Sequence, residues 1–160
     1  MTQPGFEQHD HTSCIASALA SAESHCAENK LQFTPVRRRV LEILLSQHKA
    51  MAAYDILGQL AQEGLGSQPP VVYRALDFLV TNGFAHKVEK LNAYMACSHP
   101  GESHSPAIMI CRACGAVAES SWAPVSAFRK VADEAGFQIE RMVVEAEGLC
   151  PICQQQEGAA

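Results

Sequence analysis

Apolar residues recur at helical spacing through the first half of the chain. In residues 14–30, Leu19 and Ala22 belong to a row of apolar side chains on one face, as expected of an amphipathic helix. Three later segments repeat apolar residues with the same period of about 3.6 residues. We therefore predict helices over residues 14–30, from Pro35 through Leu45, over residues 53–63 and from Pro69 to Asn82.

Turn-forming residues mark where these helices start and stop. Thr34 precedes a proline, as a helix cap followed by a first-turn proline, and Asn82-Gly83 ends the last of the four helices. Two short alternating runs, residues 85–90 and 93–97, predict a β-hairpin. Three helices followed by a hairpin is the order of a winged helix-turn-helix, here preceded by one more helix.

The second half of the chain predicts a smaller mixed unit. Residues 98–106 contain two prolines and a glycine, which indicates a hinge. Strand, strand, helix and strand are then predicted over residues 107–111, 116–120, 124–135 and 138–146, and the tail from Gln154 is expected to be disordered. The predicted fold class is α+β, a winged helix-turn-helix followed by a small α/β domain.

Charge is unevenly distributed along the chain. The net charge is −5, but residues 1–29 carry −4, residues 30–97 carry +3 and residues 98–160 carry −4. Local potential rather than net charge steers a phosphate backbone, so the winged-helix part is the part suited to a polyanion. No apolar run approaches the length of a membrane span, and the start of the chain is unlike a signal peptide. We expect a cytoplasmic protein with no membrane partner.

Two Cys-x-x-Cys pairs, Cys111/Cys114 and Cys150/Cys153, predict one structural zinc site. Each pair can bind the same metal ion from a tight turn, with backbone amides directed at the thiolates. Two other interpretations exist. Disulfides require an oxidising compartment, and a thioredoxin-like redox centre needs only one such pair, so a cytosolic chain with two pairs favours zinc.

The remaining cysteines point to a second metal site. Cys97 ends the predicted hairpin, His86 lies on its other strand, and Glu119 stands on the strand that leaves the first cysteine pair. His99 and His104 in the hinge are both candidates for a further ligand. Each residue alone has an ordinary explanation, as a small buried Cys, an exposed His or a solvated Glu. Together, one thiolate with imidazole and carboxylate favours zinc over iron or manganese.

The origin of these ligands suggests a mechanism. They come from the hairpin, the hinge and the second unit, so a bound metal would fix the angle between the two units and its loss would free the hinge. Four protein ligands leave no open position for water or substrate. We therefore expect no enzymatic activity and no small organic substrate.

The last helix of the first half presents polar side chains opposite its apolar row. Tyr73, Arg74 and Asp77 lie together on that face. In a winged helix-turn-helix this helix enters the major groove, where Arg reads guanine and an aromatic ring packs on a thymine methyl group. Arg37 begins a run of three arginines in an earlier helix, which indicates either a nearby polyanion or a solvated charged face.

Taken together, these features resemble the ferric uptake regulator superfamily, and within it the zinc uptake regulator branch. The motifs that carry the resemblance span roughly residues 30–153. They are FTPVR at 33–37, AYDIL at 53–57, PVVYRALDFL at 70–79, GFAHKVE at 83–89, CRACG at 111–115 and GLCPIC at 148–153. The sequence departs from many relatives at Val71, where they have Thr, and it lacks a histidine-rich stretch at the start of the second domain.

The resemblance implies a homodimer that binds a palindromic double-stranded DNA operator. It implies a winged-helix DNA-binding domain in residues 1–97, a hinge in residues 98–106 and a dimerisation and zinc-binding domain in residues 107–160. Two zinc ions per chain are expected. The implied ligands are Cys111, Cys114, Cys150 and Cys153 for structural zinc, and His86, Cys97, His104 and Glu119 for regulatory zinc. The predicted DNA-binding residues are Tyr73, Arg74, Arg37 and Tyr54.

The expected function is therefore a zinc-responsive transcriptional repressor of zinc uptake genes. One alternative is an iron- or peroxide-responsive regulator of the same superfamily, against which the Cys97 thiolate argues. Another is a zinc-dependent hydrolase or deaminase, but no His-x-Glu precedes a Pro-Cys-x-x-Cys in this chain.

Overall fold

The structure, a computed structural model, describes residue 6, residues 11–98, residue 100, residues 106–120 and residues 125–159. The elements in chain order are α1 (His11–Glu28), α2 (Pro35–Leu45), α3 (Ala53–Gln62), α4 (Pro69–Thr81), β1 (Ala85–Val88), β2 (Ala93–Ala96), β3 (Ala107–Cys111), β4 (Val117–Ser120), α5 (Val125–Glu134), β5 (Val144–Gly148) and α6 (Pro151–Gly158). The chain forms two compact units: residues 7–102, and residues 103–160 together with residues 1–6.

The first unit is a winged helix built around one apolar core. Leu19 and Ala22 of α1 are buried, as the helical period predicts, and they join side chains of α2, α3 and α4. Leu44, Ile56 and Leu76 lie at the centre of this core and are fully buried. Burying one such side chain contributes about 1.5–3 kcal/mol. The four predicted helices are confirmed, and the added helix α1 is part of the core.

The predicted helix ends are also confirmed. Thr34 Oγ1 accepts a hydrogen bond from the Arg37 backbone N–H at 3.3 Å, which caps α2. At the end of α4, the Asn82 side chain donates to the Phe78 carbonyl at 2.8 Å. Gly83 follows with φ of 77°, a conformation in which a Cβ atom would be strained.

The hairpin forms the wing and is attached to the helices through its second strand. β1 and β2 are antiparallel, with His86 opposite Met95, and Asn92 in the connecting turn has φ of 46°. Met51, just before α3, exchanges two backbone hydrogen bonds of 2.8 Å with Tyr94 of β2. The wing is therefore held in register against the connection between α2 and α3.

The second unit contains a three-stranded sheet in the order β4-β3-β5. β3 pairs antiparallel with β4 and parallel with β5, and α5 lies in the connection that a parallel pair requires. The strand predicted over residues 138–146 is shorter and later, because β5 is Val144–Gly148. Pairing explains the shift: the five residues of β5 match the five of β3 one to one, from Ala107 opposite Val144 to Cys111 opposite Gly148.

The prediction of a disordered tail from Gln154 is wrong. Cys150 has extended backbone angles as the N-cap, Pro151 is the first helical residue, and α6 continues to Gly158. The polar residues after Gln154 have no apolar periodicity, which is why the pattern favours disorder. The helix is instead anchored at its start, where Cys150 and Cys153 are buried.

The apolar face predicted for α5 is only partly covered. Ala132 is buried, but Phe128 and Val131 are 57 % and 60 % exposed. Phe137 and Val143, which follow the helix, are also exposed. The second unit thus presents large apolar side chains that its own described residues do not bury. Among the described helices, none is long and apolar enough to cross a membrane.

Candidate metal centres and nucleic-acid face

The four paired cysteines converge because of the sheet topology. Cys111 is the last residue of β3, and Gly148, two residues before Cys150, is the last residue of its parallel neighbour β5. Parallel strands end at the same edge of a sheet, so the turn after each strand delivers its cysteine pair to one place. A hydrogen bond of 2.8 Å from the Arg112 N–H to the Gly148 carbonyl continues the pairing into these turns.

The geometry of this cysteine cluster fits zinc. The four sulfur atoms of Cys111, Cys114, Cys150 and Cys153 lie within 4.8 Å of one another. The Cys114 and Cys150 sulfurs are 3.8 Å apart. A tetrahedral zinc ion with Zn–S distances of about 2.3 Å places its sulfurs about 3.8 Å apart. Three of the four side chains are buried and Cys114 is partly buried, so the cluster is closed, as structural zinc sites are.

Backbone amides already favour a thiolate at one of these positions. The pKa of Cys111 is lowered to about 6 because backbone N–H groups, first that of Cys114 and then that of Cys150, donate to its sulfur. The Cys150 N–H lies 3.3 Å from the Cys111 sulfur. The pKa of Cys153 is raised to about 12, chiefly by its hydrogen bond with the Cys150 side chain and then by burial. A bound cation would reverse the shift at Cys153, because it stabilises every thiolate it touches.

The two other interpretations of the cysteine pairs do not fit this geometry. The cysteines of the described residues are all free thiols. A disulfide between Cys114 and Cys150 would require their sulfur atoms to lie about 2.05 Å apart, well below the observed 3.8 Å. A thioredoxin-like centre would use one pair, whereas here both pairs share one cluster.

The residues predicted as ligands of the second metal site are divided between the two units. In the winged helix, an imidazole nitrogen of His86 and the sulfur of Cys97 lie within 4.8 Å of each other. The Cys97 N–H donates to the Phe84 carbonyl at 2.9 Å, which continues the β1–β2 ladder by one pair. Side chains alternate between faces along a strand, so this ladder places His86 and Cys97 on the same face of the hairpin. Cys97 is 5 % exposed.

Glu119 lies in the second unit, on β4 opposite Ile108. It is 4 % exposed, and no other charged side chain among the described residues is buried. A carboxylate removed from water requires partners, and a metal ion is one of the few that compensate it fully. The structure therefore does not support the ordinary explanation of Glu119 as a solvated residue. His104, like His99, lies outside the described residues.

The proposed recognition face of α4 is exposed as predicted. Val72 and Leu76 of this helix are buried, while Tyr73 is 49 % exposed and Arg74 and Asp77 are also on the surface. Within the described part of the chain, no ion pair involves the Arg74 guanidinium. Its five N–H donors are thus available to a ligand.

The arginines at the start of α2 are engaged within the winged helix. Arg38 pairs with Glu23 of α1 and, at 3.3 Å, with Glu42. Arg39 pairs with Glu63 at 2.8 Å and with Glu42 at 3.0 Å. The hydrogen bond from Arg39 lowers the pKa of the Glu63 carboxyl. The run of arginines is therefore largely neutralised by neighbouring carboxylates, which explains why a cationic first turn is tolerated without a polyanion.

The two remaining predicted DNA-binding residues differ from each other in their surroundings. The Arg37 guanidinium lies 3.8 Å from the centre of the Phe78 ring and donates to the Gln32 carbonyl. Tyr54, in the first turn of α3, is 83 % exposed. Arg37 is thus held in place by its own unit, whereas the side chain of Tyr54 lies largely in solvent.

One neighbour of the cysteine cluster was not predicted. Phe6 packs against the cluster together with Ala116 and Leu149. Nothing in the pattern around Phe6 signals this contact, since it is a single aromatic residue ahead of α1. The contact joins residues that are far apart in sequence, Phe6 and the turns that follow β3 and β5.

Comparison with known proteins agrees with this architecture. The model of the ferric uptake regulator family matches residues 28–147. A zinc uptake regulation protein of Escherichia coli (strain K12) is 41 % identical over 141 residues, which cover 87 % of this chain and 82 % of that protein.

Two solved structures share the fold over most of their length. A zinc uptake regulator complexed with zinc and DNA has a TM-score of 0.86 at 40 % identity, covering 90 % of this chain and 97 % of that one. The structure of holo XcZur has a TM-score of 0.79 at 38 % identity, covering 87 % and 98 % of the two chains. The chain belongs to the ferric uptake regulator family, in its zinc uptake regulator branch.

Proposed function

We propose that this protein is a zinc-responsive transcriptional repressor that binds double-stranded DNA and controls zinc uptake genes in the cytoplasm. The observation that carries the proposal is the exposed Tyr73-Arg74 face of α4 in a chain whose relatives are named zinc uptake regulators. Arg74 would read guanine through a bidentate contact, and Tyr73 would pack on a thymine methyl group. Arg37 and Tyr54 would contact the DNA backbone beside them.

The structural zinc is assigned to the cysteine cluster of Cys111, Cys114, Cys150 and Cys153. Sulfur distances that match a tetrahedron, and burial of the thiols, support this assignment. Zinc bound here supplies folding free energy and no chemistry. The protein's own contribution is to present the four sulfurs from two adjacent turns, with backbone amides that favour thiolate at Cys111.

The regulatory zinc is assigned to His86, Cys97, His104 and Glu119. The adjacent imidazole and thiol of His86 and Cys97 and the buried carboxylate of Glu119 support it. Zinc bound by ligands of both units would restrict the angles that the winged helix can adopt. A protomer that samples many angles binds an operator more weakly, in proportion to the time it spends in unsuitable ones. A site with four protein ligands has no open position, so we propose no enzymatic activity.

The homodimer is proposed to form through the second unit. Phe128 and Val131 on α5, and Phe137 and Val143 after it in the chain, are large apolar side chains exposed in the single chain. Monomeric proteins rarely expose several large apolar side chains together, and a second copy would bury them. Two winged helices related by a twofold axis would then match a palindromic operator.

Fluorescence anisotropy with a palindromic AT-rich duplex, titrated with buffered zinc, tests the proposal. We expect binding that appears only above a zinc threshold. Cys97→Ser should abolish the zinc dependence while the protein stays folded, and Cys14→Ser, a change at an exposed cysteine of α1, should behave as wild type. DNA binding that ignores zinc would contradict sensing, and absence of binding at every zinc concentration would contradict the repressor itself.

Metal analysis before and after mild chelation tests the two zinc sites separately. We expect two zinc ions per chain to fall to one with the fold retained, because the buried cysteine cluster exchanges slowly. Cys97→Ser should start with one. A Cys97→Ser protein that retains two zinc ions would remove Cys97 from the ligand set.

A further inference from the structure

Asp77 places a negative charge on the face of α4 that we propose reads bases. It lies one helical turn after Tyr73 and Arg74, at the i+4 and i+3 positions, so the three side chains are neighbours on one surface. All three are exposed, and the opposite side of the helix, including Leu76, is buried. The carboxylate is thus part of the same surface as the Arg74 guanidinium.

Asp77 differs from the other carboxylates that lie near cations in this unit. Glu23, Glu42 and Glu63 each pair with an arginine of α2. Across the described residues no ion pair involves Asp77, although Arg74 is only one turn away. Its charge acts on Tyr94 of the wing, whose pKa is raised first by burial and then by the Asp77 carboxylate. Among the described residues of its own unit, therefore, no cation pairs with Asp77.

A carboxylate in the major groove is repelled by the phosphates, and a hydrogen bond donated by a base can offset this repulsion. Thymine and guanine present acceptors at the groove centre, O4 and O6, which repel it. Adenine presents a donor, N6, beside an acceptor, N7. Cytosine presents the N4 donor without an acceptor beside it, which makes it the base that a carboxylate tolerates best.

We propose that Asp77 selects cytosine at one position of each operator half-site, adjacent to the guanine read by Arg74. This inference rests on the proposed function, because it needs α4 to lie in the major groove. It makes Asp77 a specificity-determining residue that acts largely by excluding the three other bases. Loss of its charge should consequently strengthen binding to unrelated DNA while it weakens discrimination.

Selection from a pool of duplexes with a randomised centre, by zinc-loaded protein and followed by sequencing, tests the inference. For wild type we expect a preference for cytosine of about tenfold at one position per half-site. Asp77→Ala should remove this preference and leave the guanine preference intact. Asp77→Asn should change it to adenine, because an amide can bind N6 and N7 of adenine together. Asp133→Asn on α5, an exposed carboxylate of the second unit, is the charge-matched control.

The outcomes separate this inference from the proposed function. Wild-type protein that enriches no sequence contradicts the repressor proposal. A second possible outcome is that wild type, Asp77→Asn and Asp77→Ala all enrich the same motif at every position. This outcome would contradict only the role of Asp77. In that case a loss of thermal stability in both variants would assign Asp77 to the support of Tyr94 instead. A change from cytosine to adenine with Asp77→Asn, absent with Asp133→Asn, is the result we expect.

Discussion

In the winged-helix unit, side chains from four helices bury one another, whereas in the second unit much of the buried surface belongs to cysteine side chains. The first core contains fully buried Leu44, Ile56 and Leu76. The second unit buries a few residues of β3 and β4 and the cysteine cluster. It leaves Phe128 and Val131 exposed. We therefore expect the unit that carries the recognition face to fold without metal, and the second unit to depend on zinc and on a partner.

The largest expected effect comes from Cys111→Ser. Removing one thiolate from a four-ligand site should abolish structural zinc binding, and because zinc binding is coupled to folding the second unit should unfold. Hydrogen exchange should show lost protection in β3 and β5 and retained protection in α2 and α4. Cys14→Ser is the matched control. Protection of β3 that survives the loss of zinc would contradict the dependence of this unit on metal.

Leu76→Ala should produce the converse result. Leu76 is fully buried at the centre of the first core, so its truncation should lower the free energy of unfolding of that unit by about 2–5 kcal/mol. Denaturant unfolding measures the loss, and the zinc content of the cysteine cluster should stay unchanged. Val80→Ala on the same helix, where the side chain is 37 % exposed, should have a much smaller effect. Equal effects would mean that the helices do not share one core.

Val131→Asp sharpens the comparison at the apolar surface of α5. A charge placed at this 60 % exposed position should raise the dissociation constant of the proposed dimer at least about tenfold, with little change in the fold of the single chain. Analytical ultracentrifugation measures the effect. Leu91→Asp, in the exposed turn of the wing, controls for the change in charge. An unchanged dimer would move the interface away from α5.

The smallest effect is expected from Arg39→Ala. Its pairs with Glu63 and Glu42 lie at the surface, where ion pairs contribute little and are screened by salt. Thermal unfolding at low salt should show a slight loss of stability that disappears at high salt. Affinity for DNA should change less than with Arg74→Ala, because the Arg39 charge is already compensated. A large loss of DNA affinity would show that Arg39 contacts phosphate.

The parts of the fold that depend on neighbouring residues could be predicted from the sequence. Thr34 and Asn82-Gly83 act on their immediate neighbours, so the helix limits they predict are confirmed. The position of β5 depends on its pairing with β3, which is distant in sequence, and the predicted strand is therefore misplaced. The helix α6 was missed because its start is fixed by two buried cysteines and not by an apolar pattern.

In the candidate site, too, the features set by local sequence could be predicted, and those set by distant residues could not. The spacing of the cysteines predicts the cysteine cluster, because two cysteines separated by two residues can bind one metal ion from a single tight turn. The pairing of the α2 arginines with Glu23 and Glu63 could not be predicted, since the partners come from other helices. The contact of Phe6 with the cluster has no signal in the sequence.

That contact bears on how the protein is prepared. Phe6 and the start of α6, which are far apart in sequence, both lie at the cysteine cluster. A polyhistidine tag fused beside Phe6 or directly after α6 would bring imidazoles close to four thiols, and these would compete for the same metal ion. Stoichiometry and zinc exchange are therefore best measured on protein from which every tag has been removed.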